Sequence, residues 1–219
     1  MLSLKPFSTE HFAVLSTWFD NERELAQWGG PGFSHPLDAS QLAPLLQAGH
    51  GDRPERRCWM AEDESLSPVG HVQLVYDWQN GVARIARVVL APAMRGKGYA
   101  APMLKLVLAR AFSEDGIERV ELNVYTWNGP AIRTYAKLGF VSEGVRRSSA
   151  KVGEERWDTA IMGMLRAEWN DVVAVMCSRQ AAYNPAEASL LVPLKRVIAS
   201  SASSKALASM MASSKGACL

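Results

Sequence analysis

Hydrophobic and polar positions follow two rhythms along this chain. Leu2–Pro6 reads as a short strand. Ser8 then suits a helix N-cap, with His11 where a full capping box has Glu, and Phe12, Leu15 and Phe19 follow at helical spacing. Trp28–Pro36 is rich in Gly and Pro and reads as loop. Ser40–Gln47 fits a second short helix. Arg57–Glu62 and Val69–Trp78 read as strands, and Val82–Leu90 as the partner of the second across Gln79-Asn80-Gly81, where Asn-Gly suits the positive φ of a type I′ turn. Pro92 ends that strand. Ala101–Phe112 carries the helical stripe Met103, Leu104, Val107, Leu108, Ala111. In Arg119–Tyr125, Val120, Leu122 and Val124 face one way and Glu121, Asn123 and Tyr125 the other. Pro130–Leu138 is a short helix with Gly139 placed as a C′ glycine, and Phe140–Val145 and Trp157–Leu165 close the series. The order βααβββαβαββ predicts an α/β (α+β) domain, a mixed sheet with helices on its faces.

Composition narrows the class. The chain has 219 residues, 48% hydrophobic and 21% charged, which suits one globular domain with an appendage. All seven tryptophans fall within residues 1–169, whereas 12 of the 16 residues from Ala199 to Ser214 are Ala or Ser. The expected division is therefore a domain over 1–169 and an Ala/Ser-rich extension over 170–219, helical or disordered, since small side chains bury little area against their ordering entropy. With 24 Lys and Arg against 22 Asp and Glu, the net charge of +2 offers no general field for nucleic acid. Cys58, Cys177 and Cys218 are too sparse for a disulfide framework or a zinc site, so no metal is expected. The start lacks a signal-peptide core and no stretch nears the ~18 apolar residues of a membrane span, so a cytoplasmic protein without a membrane partner is expected.

Chemistry concentrates between the third long strand and the following helix. In Arg95-Gly96-Lys97-Gly98-Tyr99-Ala100, free N–H groups at a helix start favour an anion, small residues let a pyrophosphate approach the backbone, and Arg95 and Lys97 add charge. The spacing fits neither a mononucleotide P-loop nor GxGxxG. Taken alone, the segment reads equally as a basic, solvent-facing helix start.

A second segment follows: Asn128-Gly129-Pro130-Ala131-Ile132-Arg133-Thr134-Tyr135-Ala136-Lys137-Leu138-Gly139-Phe140. With Arg95, Gly98 and Ala100 matching Arg/Gln-x-x-Gly-x-Gly/Ala, and Asn128, Ala131, Tyr135, Lys137, Gly139 and Phe140 matching a second motif, residues 2–168 resemble the GCN5-related N-acetyltransferase (GNAT) superfamily. Leu2-x-Leu4-Lys5-Pro6-Phe7, Trp28-Gly29-Gly30 and Arg156-Trp157-Asp158…Met162 look like its RimJ/RimL-like ribosomal-protein branch.

The resemblance implies a mostly antiparallel sheet of six to seven strands, with a V-shaped splay between two central parallel strands, Val82–Leu90 and Arg119–Tyr125. Acetyl-CoA would lie in the V. A bulge near Val88, Val89 and Leu90 would free amides for the pantetheine arm and thioester carbonyl. Arg95, Gly96, Lys97, Gly98, Tyr99 and Ala100 would hold the pyrophosphate, and Asn128, Arg133 and Tyr135 would complete the cofactor contacts. The implied activity is acetyl transfer to a primary amine, of a protein N-terminus or a small molecule, by a monomer or homodimer. A non-catalytic acyl-CoA-binding regulatory module is the alternative.

Chemical need then assigns roles. A neutral amine attacks the thioester carbonyl, oriented N–H groups stabilise the oxyanion, and the departing thiolate takes a proton, for which Tyr135 is the candidate acid; the resemblance implies that Asn128 contacts the pantetheine arm or orients the site. The base is harder to find. Family members often carry a carboxylate on the strand before the pyrophosphate turn, but here that strand reads Val82-Ala83-Arg84-Ile85-Ala86-Arg87-Val88-Val89-Leu90. Glu121, acting through water, is the candidate; His71, Asp77 and Asp158 are lesser ones, and proximity suffices if the amine arrives neutral. Arg84 and Arg87, three apart, lie on opposite faces of an ideal strand, so one is expected at the cleft, where it would suit an acceptor bearing a carboxylate. Trp28, Phe33 and Trp127 are candidates for the acceptor side or for the core.

Overall fold

The computed structural model describes residues 2–172. The chain separates into two units between Arg166 and Ala167, and the first holds the whole sheet. The expected extension falls almost entirely on 173–219, outside the described residues.

Seven strands run in the order β1-β2-β3-β4-β5-β7-β6: β1 Ser3–Pro6, β2 Arg56–Glu62, β3 Pro68–Asp77, β4 Val82–Leu90, β5 Arg119–Tyr125, β6 Val141–Val152 and β7 Glu155–Leu165. Every neighbouring pair is antiparallel except β4–β5. The helices are α1 Phe12–Ser16, α2 Glu22–Gly29, α3 Ala39–Gln47, α4 Ala100–Ser113 and α5 Gly129–Lys137.

The two faces of β3 show how the layers divide. His71 packs its ring on Phe7 and Trp28, at 4.8 and 5.5 Å between centroids, so its face looks to α1–α3. Phe12, Leu15, Leu25, Leu42 and Leu45 fill the core there. Gly70, on the opposite face, meets α4: a Cβ there would lie 2.8 Å from Met103 Sδ and 2.9 Å from the Val89 carbonyl oxygen. The stripe expected on α4 is buried at Met103, Leu104, Val107, Leu108 and Ala111. α5 packs beside α4.

Three local readings need correction. Glu22–Gly29 is a helix, so Trp28 and Gly29 end α2 rather than open a loop. Asn21 caps it, its side chain accepting from the Glu24 N–H at 3.0 Å. The β3–β4 connection is not a two-residue I′ turn: Asp77 pairs with Val82 across four residues, and only Gly81 has positive φ, at 65°. Asp77 holds that loop by accepting from the Asn80 N–H and side-chain amide, at 3.0 and 2.8 Å. Finally, β6 extends to Val152 and β7 starts at Glu155, making a longer hairpin than expected. Its extra length is solvent-exposed and bulged between Arg146 and Ala150, which erases the alternation that marks a half-buried strand.

Candidate active site

The parallel pair β4–β5 stays in register only from Val82↔Arg119 to Ile85↔Leu122. Beyond it, Ala86–Leu90 and Asn123–Tyr125 part, leaving the β5-facing edge of β4 unpaired. The cause is a bulge. His71 pairs with Val89 but Gln73 with Ala86, so β4 carries one extra residue there, and Arg87 takes φ = 49°. Two donors hold its carbonyl: Trp28 Nε1–H at 2.7 Å and His71 Nδ1–H at 3.1 Å. The bulge thus sits one residue ahead of Val88–Leu90, where it was expected.

The gap opens into a cavity of about 1070 Å³. On the α4 side it is bounded by the turn after β4. Gly96 and Gly98 have φ of 75° and 84°, a conformation that disfavours a side chain, and nothing lies within 4 Å of where a Cβ would be. The turn delivers the chain to Ala100, where α4 begins without an acidic residue in its first turn, so its N-terminal amides and dipole favour an anion. Val88, Val89, Leu90, Arg95, Gly96, Gly98, Ala100, Asn128 and Tyr135 all line the cavity; Lys97, Tyr99, Arg133 and Glu121 do not. Arg95 leans away from the turn, donating to the Trp18 carbonyl at 3.2 Å and standing 3.7 Å from Glu24. An anion at this turn would meet backbone amides more than the two flanking cations.

Tyr135 is fixed by the end of its helix. Gly139, at φ = 102°, sends its N–H to the Ala136 carbonyl and Phe140 sends its N–H to the Tyr135 carbonyl, 3.0 and 3.1 Å, the double bond of a Schellman motif. The accompanying side-chain contact sets the Phe140 ring edge-on to Tyr135 at 5.9 Å. Burial pushes the phenol up to about 12, so it keeps its proton at neutral pH. Asn128 is the N-cap of the same helix, its Oδ1 accepting from the Ala131 N–H at 3.3 Å.

The candidate bases are engaged elsewhere. Glu121 Oε1 accepts from Arg84 at 2.8 and 2.6 Å, and Oε2 lies 3.4 Å from Arg119. Asp158 accepts from the Ser148 N–H at 2.6 Å and braces the β6 bulge. Asp77 holds the β3–β4 loop, and His71 is fully buried beneath the Arg87 bulge. Phe33 is core and touches the Arg87 guanidinium. Trp127 stands outside the cavity, stacked on Tyr125 and covered by Arg23. Both Arg84 and Arg87 line the cavity, because the bulge resets the alternation between them.

Sequence reasoning missed Glu24, the cavity's one carboxylate, and Arg56, which lines it from β2. Neither lies in a motif, and only the sheet order brings them there.

The model of the acetyltransferase (GNAT) family matches residues 18–140, more than half of the chain. The chain belongs to that family. As a GNAT protein it is an N-acetyltransferase by class. Among curated relatives, the spermidine N(1)-acetyltransferase of Vibrio cholerae is 28% identical over 146 residues, covering 65% of this chain and 80% of that protein. The SPbeta prophage-derived uncharacterized N-acetyltransferase YokL of Bacillus subtilis is 37% identical over 93 residues, and the match spans about half of its length (52%) and 42% of this chain. The crystal structure of spermidine N-acetyltransferase from Vibrio cholerae in complex with CoA and spermine superposes with a TM-score of 0.67 at 22% identity, over 77% of this chain and 97% of that one, which shows a shared fold. Among the described residues, no group of His, Cys, Asp and Glu could hold a metal ion, and no helix is long and apolar enough to cross a membrane.

Proposed function

We propose that this GNAT protein transfers the acetyl group of acetyl-CoA to a primary amine, with Tyr135 donating a proton to the departing thiolate. One observation carries the reading: a buried phenol and a positive-φ glycine turn border the same gap between parted parallel strands. Bound acetyl-CoA supplies an activated acyl carbonyl and a thiol leaving group. The amides of the turn and of the first turn of α4 hold its diphosphate. The unpaired β4 edge at Val88–Leu90 faces the pantetheine arm and offers N–H donors where negative charge develops on the carbonyl oxygen, worth a few kcal/mol. Asn128 sets the start of α5 and through it the tyrosine. The acceptor arrives neutral and in place, so attack needs no base on β4; as the intermediate collapses its nitrogen sheds a proton, which passes through water in the cleft to restore the Tyr135 phenol.

The acceptor has two candidate sources. The names of the Vibrio relatives point to a polyamine. The segments that resemble the RimJ/RimL-like branch point to a protein N-terminal amine. Arginine-rich lining of the cavity supports the second. Mass spectrometry of the full chain incubated with acetyl-CoA and a mixture of peptides, polyamines, aminoglycosides and amino acids tests the reading. One acetylated amine with matching CoA release is expected. CoA binding without transfer to any amine would return the protein to the non-catalytic alternative.

A further inference from the structure

The cleft passes through the sheet. The glycine turn and Tyr135 stand on the α4 face, whereas Arg56 and Arg87 meet at Gln73 on the α1–α3 face. Six Lys and Arg side chains line the cavity against one carboxylate, Glu24. Two of those arginines are already neutralised: Arg84 by Glu121 and Arg95 by Glu24.

Arg56 and Arg87 differ. Both donate to a single neutral acceptor, Gln73 Oε1, at 2.6 and 2.9 Å. Neither pairs with a carboxylate among the described residues, and the buried Nε of Arg87 has no hydrogen-bond partner. Gln73 is fully buried and cannot turn to relieve them. Its amide nitrogen faces His71 Nε2 at 3.5 Å, and His71 Nδ1–H is spent on the Arg87 carbonyl. Phe33 stacks under the Arg87 guanidinium at 4.9 Å, so the side chain is held from below as well. The pair is costly as it stands: burial, and after it the neighbouring Arg56, bring Arg87 down to about 10. Two like charges gathered on one amide, with donors to spare and no counter-ion, make a receptor for an anion.

From this we infer that Arg56 and Arg87, oriented by Gln73, bind a carboxylate on the acceptor, so that the favoured substrates are amines that also carry an acid group rather than polycations. The inference rests on the acetyl-transfer reading. It sets this cleft apart from what the names of the spermidine relatives suggest. The carboxylate could belong to a free amino acid or to an acidic side chain near a peptide N-terminus, and matched acceptors separate the two.

The test uses the full chain with acetyl-CoA and pairs differing only in the acid: an α-amino acid against its amide, and a peptide with Glu against one with Gln at its second residue, with spermidine alongside. At least one acid should exceed its amide partner in kcat/KM by about tenfold or more, the scale of one charge-assisted contact, and should exceed spermidine. Arg56→Gln and Arg87→Gln should abolish that preference by raising KM for the acid, while KM for acetyl-CoA stays put; Arg56→Lys should restore part of it. Equal rates within every pair, or spermidine as the best acceptor, would overturn the inference, and the wild-type pairs decide this even if a variant fails to fold. Should no amine be acetylated, the acetyl-transfer reading falls. Calorimetry with glutamate against glutamine in the presence of CoA then judges the anion site separately: tighter binding of glutamate upholds it, and no difference refutes it.

Discussion

His71 shows how one side chain ties stability to the site. It is fully buried, donates through Nδ1–H to the carbonyl of the bulge residue Arg87, and has only the Gln73 amide nitrogen facing Nε2. Desolvation, and then the nearby Arg87 charge, pull it from 6.5 to about 3. The imidazole is therefore neutral in the fold but takes a proton in the unfolded chain below about pH 6.5. The sign follows: the folded state is fully favoured above that pH and loses up to about 1.4 kcal/mol for each unit of acidification toward pH 3. Urea unfolding at pH 7.5 and 5.0 should show this fall in the wild type. His71→Gln should be less stable at pH 7.5 yet lose less on going to pH 5.0. An equal loss in both proteins would place the acid sensitivity elsewhere. The sequence offers His71 as a possible base but does not mark this structural role: a histidine in an apolar strand reads the same whether it faces water or a carbonyl, and the bulge that supplies the carbonyl is a product of pairing.

In the proposed reaction two short elements, a turn and a helix end, divide the work of the site. Gly98 adopts φ = 84° in open space and Gly139 adopts φ = 102° at the stop of α5. Alanine at either position costs about 1–2 kcal/mol of backbone strain, but the kinetic consequences should differ. Gly98→Ala puts a methyl where the diphosphate approaches and should raise KM for acetyl-CoA several-fold with kcat nearly kept. Gly139→Ala loosens the Schellman bonds that aim Tyr135 and should lower kcat with KM for acetyl-CoA nearly kept. Steady-state kinetics of the two variants separate these roles, and the same pattern in both would argue that neither element acts as assigned. Such elements are legible because their chemistry is local: glycine at a positive-φ turn, glycine after a helix, phenol four residues before that glycine. α2 is equally local, with Asn21 three residues before Glu24, but the glycines at 29, 30 and 32 mask its end with a loop-like composition. The added length of β6 left no such trace, because Arg146–Ser149 are exposed and bulged, so no alternation marks them.

At the scale of the molecule, sequence pattern anticipated the mixed sheet, and the family resemblance implied the parallel pair and the gap between its strands. Pairing across the sheet was beyond it. Arg56, Gln73 and Arg87 come from three strands, and only the β2–β3–β4 register with its one-residue slip makes them neighbours. Glu121 is the converse case: its strand face was read correctly, but Arg84 of β4 and Arg119 of its own strand claim its oxygens where the parallel ladder is still closed. The proposed function depends on one convergence, a diphosphate cradle and a proton donor meeting at the gap in the parted sheet. Its most direct test is the turnover of Tyr135→Phe at saturating acetyl-CoA and acceptor. Loss of the phenol proton should lower kcat by about 100-fold or more, with KM for acetyl-CoA nearly unchanged. A kcat equal to that of the wild type would contradict the assignment of Tyr135 and with it the account of the cleft.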